Sequence, residues 1–144
     1  MSAITPLVSK LLKEKNFASF ATVMPNGSPQ VTPVWIDYDE KEDSILVNTA
    51  KGRLKERNIH NNNKVALSVF DMDNPYEMVS IQGSIKDKST DGADDHIDRL
   101  SKKYLGLDSY PFRSAGETRI ILKIKPEKVF HLSIPIKNLS TSKT

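Results

Sequence analysis

Hydrophobic and polar positions alternate along most of this chain with a period of two, interrupted by stretches that repeat at helical spacing. Leu7, Val8, Leu11 and Leu12 fall on one helical face. They predict a first helix over residues 5–15, with Thr5 as its cap and Pro6 in its first turn. Strands are then predicted over 17–24, 30–38, 44–49, 65–70 and 77–86. Asn26-Gly27 marks a hairpin between the first two. In the second strand Val31, Pro33, Trp35 and Asp37 face one way, and Thr32, Val34, Ile36 and Tyr38 the other. Pro33 inside it predicts an edge or a bulge, and Gly83 predicts a bulge in the long strand 77–86. Gly52 ends the third strand and a helix opens at Arg53, closing near His60-Asn61-Asn62-Asn63. Another helix fills 91–106, with Ala93, Ile97, Leu100, Tyr104 and Leu105 on its apolar face and Gly106 at its end. Strand 119–125 follows, Pro126 breaks it, and 129–132 forms a short last strand. The strands come as antiparallel hairpins. The fold class is mainly β with flanking helices, a small antiparallel barrel whose later helices cover its open ends.

The 144 residues fit one domain over 1–136 with a flexible tail at 137–144 rich in Ser, Thr and Lys. Composition, 38% hydrophobic and 27% charged, indicates neither disorder nor membrane insertion. No apolar run reaches the length of a membrane span, and the start of the chain lacks a signal-peptide pattern. The expected location is cytoplasmic. Cysteine is absent, which excludes disulfides, thiolate catalysis and Cys-ligated metal. A net charge of +3 is too small for a dedicated nucleic-acid binder.

Charge matters locally. The stretch Asn48 to Asn58 loads Lys51, Arg53, Lys55 and Arg57 into a strand–turn–helix corner, next to Asn48 and Thr49. A helix N-terminus has unpaired N–H groups and a partial positive charge; Arg adds a forked donor and Lys a point charge. This corner is a candidate phosphate grip. The alternative is a solvated helix face balanced by Glu56. One anion cannot meet all four cations, since Arg53 and Arg57 share one face and Lys51 and Lys55 a neighbouring one. Trp35 and Tyr76 are candidates to lie against a planar ligand, although a lone strand tryptophan also suits a core.

Other chemistry is thin. Asp71 and Asp73 lack the glycine and distant Glu of a calcium loop. His96 sits among Asp94, Asp95 and Asp98, which read as charge complementing a helix start. No metal site is expected. There is no Gly-x-Ser-x-Gly elbow and no His-Glu-x-x-His pattern. A basic grip with no clear acid, base or nucleophile points to a cofactor as the source of reactivity, and a transport or sequestering protein would share the pattern.

The run Phe20-Ala21-Thr22-Val23, continued by Pro25-Asn26-Gly27-Ser28-Pro29-Gln30-Val31-Thr32-Pro33-Val34-Trp35, resembles the opening of the pyridoxamine 5'-phosphate oxidase-like split-barrel family. It is most similar to the branch that uses the deazaflavin coenzyme F-420. Asn48 to Asn58, Asp73-Asn74-Pro75-Tyr76, and His96-Ile97-Asp98-Arg99-Leu100 with Lys103-Tyr104-Leu105-Gly106 continue the likeness in order, over nearly all of 5–132. The resemblance implies a six-stranded antiparallel split β-barrel, the FMN-binding split barrel, forming a homodimer with cofactor sites at its interface. It implies that Arg53 and Lys55 hold the cofactor phosphate, beside Lys51 in the same turn. Asn48, Thr49 and Ala50 would follow the ring and ribityl chain, and Asn58 would brace the turn. Pro33, Val34 and Trp35 would adjoin from the neighbouring strand, and Tyr76 of the partner subunit would complete the site. Branch members often carry Arg where this chain has Lys51 and Gln82, which makes this site less cationic. The activity implied is hydride transfer from reduced coenzyme F-420 to an unsaturated small molecule, with no catalytic residue named. The alternatives are a flavin mononucleotide (FMN)-dependent oxidoreductase and a non-catalytic flavin- or tetrapyrrole-binding protein.

Overall fold

The computed structural model describes residues 3–136, so the tail expected over 137–144 lies outside it. The elements are α1 (Pro6–Lys13), β1 (Ala18–Val23), β2 (Pro29–Val34), β3 (Asp37–Asp39), β4 (Ser44–Ala50), α2 (Leu54–Asn61), β5 (Lys64–Phe70), β6 (Glu77–Ser89), α3 (Ala93–Leu105) and β7 (Arg119–Ser133). The strands form one sheet in the order β2-β1-β5-β6-β7-β4-β3, with every neighbouring pair antiparallel.

This sheet has seven strands where the resemblance implies six; the pattern along the chain also predicts seven but divides them differently. The difference lies in the predicted strand 30–38, which bends at Trp35-Ile36 into β2 and β3. β2 pairs only with β1 and β3 only with β4, so one short run of chain supplies both edges and rolls the sheet into a barrel. The two-residue period survives the bend: Ile36 and Tyr38 are buried in the core, while Val31 and Pro33 stay exposed on the outer face. Pro33 sits on an edge strand, where a missing N–H costs no ladder bond.

Pro126 does not end the last strand. β7 runs through it because its pairing with β4 stops at Ile124, leaving Pro126 an edge on that side. On its other side Pro126 lies opposite Gly83, at a register shift that leaves Glu127 unpaired. Gly83 is required there: a Cβ would stand 2.3 Å from the Lys125 carbonyl oxygen.

The core fills the barrel. Phe20, Ile45, Val47, Leu67, Val69, Ile81, Leu122 and Ile124 point inward from five strands. Val8, Leu11 and Leu12 of α1 join them, held over the barrel by the Thr5 cap, whose Oγ1 accepts from the Val8 N–H. Thus α1, rather than α3, packs into the main core. α3 lies outside, against β4 and β7, where Ile97, Leu100 and Tyr104 make a second cluster with Trp35 and Tyr110. No helix among the described residues is long and apolar enough to cross a membrane.

Candidate functional site

The turn after β4 is built as its sequence requires. Gly52 adopts φ +90°, and its N–H donates to Glu56 Oε1 at 2.8 Å, so a first-turn carboxylate reaches back over the start of α2. Arg53 is the N-cap residue and makes no side-chain cap bond, which leaves its guanidinium to other work.

Beside this turn lies a cleft of about 270 Å³. Pro33, Val34, Trp35, Asn48, Thr49, Arg53 and Lys55 line it, so the structure gathers most of the residues singled out in the sequence. The four cations are sorted. Arg53 and Lys55 face the cleft, Lys51 turns with Arg53 to a neighbouring groove against 114–118, and Arg57 lines neither. Ala50 borders that groove as well. Asn58 is buried under α2, donating to Thr22 Oγ1 at 3.0 Å; it braces the helix on β1. Tyr76 is half exposed in the turn before β6, away from this cleft.

The sequence reading missed Phe17, Ile97, Tyr110, Phe112 and Arg119, which complete the lining. The aromatic rings form a connected wall. Trp35 stacks on Tyr104 at 5.2 Å, and Tyr110 meets the edge of Trp35 at 5.9 Å and Phe112 at 5.6 Å. Arg119 lies 5.2 Å from the Tyr110 ring centre. The local signal for Arg119 is weak, since its strand also carries Lys123 and Lys125, and its partner across the sheet could not be read.

The electrostatics are local and strong. Glu117 bridges two arginines, Arg119 Nη1 at 2.8 Å and Arg53 Nη2 at 3.5 Å. Lys55 is half-buried and has no anionic partner among the described residues. Burial depresses its pKa below the ordinary lysine value, and the nearby Arg53 and Arg119 push it further. Three cations against one carboxylate leave a net positive charge, which suits an anionic ligand such as a phosphate ester. Thr49 pairs with Ile120 on the barrel face of β4, opposite Asn48 and Arg119, and its buried Oγ1 has no hydrogen-bond partner among the described residues.

Behind the wall, His96 is fully buried. It is held by Asn48 and Asp37 and not by the aspartates of its own helix. Burial opposes ionisation of Asp37, but the facing His96, the Tyr38 N–H and the Lys103 charge outweigh it and hold the carboxyl below its usual range. The acidic loop also has a local explanation: Asp71 Oδ1 accepts from the Asp73 and Asn74 N–H groups. A larger cleft, about 450 Å³, opens between β1, β5 and β6, but it joins no comparable charge cluster.

The family model described as pyridoxamine 5'-phosphate oxidase matches residues 4–133. The chain belongs to this family. Among solved structures, an F420 reductase is 29% identical, with a TM-score of 0.74 over 85% of this chain and 94% of the reductase. HupZ from Group A Streptococcus is 21% identical, with a TM-score of 0.64 over 90% of this chain and 94% of HupZ. General Stress Protein 26 from Bacillus anthracis is 15% identical, with a TM-score of 0.62 over 88% of this chain and 91% of that one. The last two share the fold. No curated protein matches the chain. The rolled seven-stranded sheet is thus the split barrel of the pyridoxamine 5'-phosphate oxidase family.

Proposed function

We propose that this chain is a cofactor-dependent oxidoreductase that reduces an unsaturated small molecule, with coenzyme F-420 as its cofactor and FMN as the alternative. The observation that carries the reading is Lys55: a half-buried cation in an aromatic cleft, beside two arginines and with no counter-ion among the described residues. Such a group calls for an anion from outside the chain. The family and the 29% identical F420 reductase support a flavin-type cofactor as that anion's carrier.

The residues fit such a group. Arg53 and Lys55 would hold the phosphate, and Trp35 and the Tyr110–Phe112 wall would border the planar ring. When bound, the cofactor supplies hydride chemistry. The chain's own part is to bind, to orient the substrate against an apolar wall and to keep water out. In this reading two copies of the chain pair as a dimer, and Tyr76 of the partner subunit completes each site.

Titration with coenzyme F-420 and with FMN, read by quenching of each cofactor's fluorescence, tests the proposal. Tight binding of the deazaflavin followed by turnover of an enone supports it. Binding of FMN alone shifts the chain to the flavin alternative, and binding of neither overturns it. Replacing Arg53 and Lys55 together by Ala is expected to abolish binding.

A further inference from the structure

Arg119 is almost completely buried, yet it borders the cleft. Its Nε donates to Asn48 Oδ1 at 2.9 Å and its Nη1 to Glu117 Oε1 at 2.8 Å. Nη2 has no partner among the described residues. Arg119 shares Glu117 with Arg53, so the two guanidinium groups and Lys55 converge on one small region.

What holds Arg119 is unusually well determined. Arg119 Nε can only donate, so the Asn48 atom facing it is the oxygen. The Ala93 carbonyl can only accept, so the other end of Asn48 is the amide nitrogen, which donates at 2.9 Å. That nitrogen also lies 3.1 Å from His96 Nδ1. His96 Nδ1 therefore accepts, and the imidazole proton sits on Nε2, facing Asp37 Oδ2 across a long 3.4 Å. Every hydrogen bond from His96 to Arg119 has one allowed direction, and His96 Nε2 itself has no hydrogen-bond partner among the described residues.

We propose that Arg119 is a third, buried binding residue for the phosphate of the cofactor, and that His96, acting through Asn48, is the positioning residue that aims it. This rests on the cofactor reading above. The ligand chemistry is the phosphate at the end of the ribityl chain, a monoester in FMN and a diester in coenzyme F-420, met by Arg53 and Lys55 from the turn and by Arg119 from the strand.

The test separates the phosphate from the ring. The full-length protein is titrated with FMN and riboflavin, which differ only in the phosphate, and with coenzyme F-420 and its phosphate-free deazaflavin core. Variants are Asn48→Ala, His96→Leu, His96→Asn and Arg119→Lys, each checked for folding by circular dichroism. The wild type is expected to favour the phosphorylated partner of at least one pair. His96→Leu and Arg119→Lys should cut that preference roughly tenfold or more, with affinity for the phosphate-free ring unchanged, and Asn48→Ala, at a residue that also lines the cleft, should cut the preference whatever it costs the ring. His96→Asn, which keeps an acceptor near the place of Nδ1, should restore most of it. Equal loss of both ligands would mark His96 as merely structural and overturn the relay. Unchanged preference in Arg119→Lys, which keeps the charge and removes the fork, would overturn the role of Arg119 while the cofactor reading stands. A wild type without preference for phosphate would sink both.

Discussion

Trp35 lies face to face with Tyr104, their ring centres 5.2 Å apart and their planes 5° from parallel. The contact joins the bend between β2 and β3 to α3, and Trp35 also borders the cleft. Because Trp35 is the only tryptophan, the intrinsic fluorescence of the protein reports on this one place. Emission is expected to fall when a flavin or deazaflavin enters the cleft. Riboflavin and FMN should quench to the same final level at saturation, because the ring, not the phosphate, meets the indole. Unaltered Trp35 emission at saturating FMN would place the ring elsewhere.

Tyr104 anchors α3 through its hydroxyl, which accepts from the Ile36 N–H at 3.1 Å and donates to the Asn16 carbonyl at 2.6 Å. Burial pushes its pKa up to about 12. Tyr104→Phe removes the partner of two buried backbone groups, and the expected cost is roughly 1–3 kcal/mol. Urea denaturation of the two proteins measures it, and the denaturant slope should not change.

Lys103 donates to the Leu12 and Ile36 carbonyls, at 3.0 and 2.8 Å, from a largely buried position. Burial lowers its pKa to about 8, with Asp37 pulling weakly the other way. The ordinary value is 10.5. Between these limits the unfolded chain binds more proton than the folded one, so this group adds stability as pH rises from 8 towards 10.5. That contribution is lost as pH falls through 8. The stability of the wild type relative to Lys103→Met should therefore increase between pH 7.5 and pH 10, as read by denaturation at several pH values. A difference that stays flat over that range would refute the assignment.

Glu117 neutralises part of the cationic cluster by bridging Arg53 and Arg119. Glu117→Gln keeps the shape and removes the charge. Affinity for FMN should rise several-fold, while the melting temperature falls because Arg119 is left buried with less compensation. Both readings come from one set of thermal melts, with and without ligand.

Gly83 permits the close approach of β6 and β7 at the bulge. A Cβ 2.3 Å from the Lys125 oxygen meets backbone, which cannot swing aside. Gly83→Ala is expected to destabilise by about 1–3 kcal/mol, as overpacking does. Affinity per folded molecule should be unchanged, since the bulge is remote from the cleft lining.

Much of this architecture was legible before the coordinates. The alternation of Val65, Leu67 and Val69 and of Ile120, Leu122 and Ile124 marks inward faces that the structure keeps. The helical stripe of α1 is equally plain, although nothing in it says which end of the barrel it plugs. The bend at Trp35-Ile36 was hidden because the two-residue period continues through it; only the change of pairing partner reveals two strands. Pro126 misled because its effect depends on whether the strand has a neighbour there, which is a property of the sheet. The same distinction divides the site. Arg53 and Lys55 announce themselves as local charge density, whereas Arg119, Tyr110 and Phe112 arrive from distant segments. The aspartates around His96 read in the sequence as helix-start charge, which left His96 without a partner, since the groups that face it, Asp37 and Asn48, belong to distant strands.

The run from Pro29 to Asp39 closes the barrel and also carries Pro33, Val34 and Trp35 to the cleft. A ligand resting on those residues leans on the clasp of the sheet, so occupancy and closure are one coupled equilibrium. Opening of the clasp would empty the cleft, and filling the cleft would fasten the clasp. The amides of β2 and β3, the two margins of the sheet and otherwise its first to fray, become the most sensitive gauge of whether the protein has found its ligand.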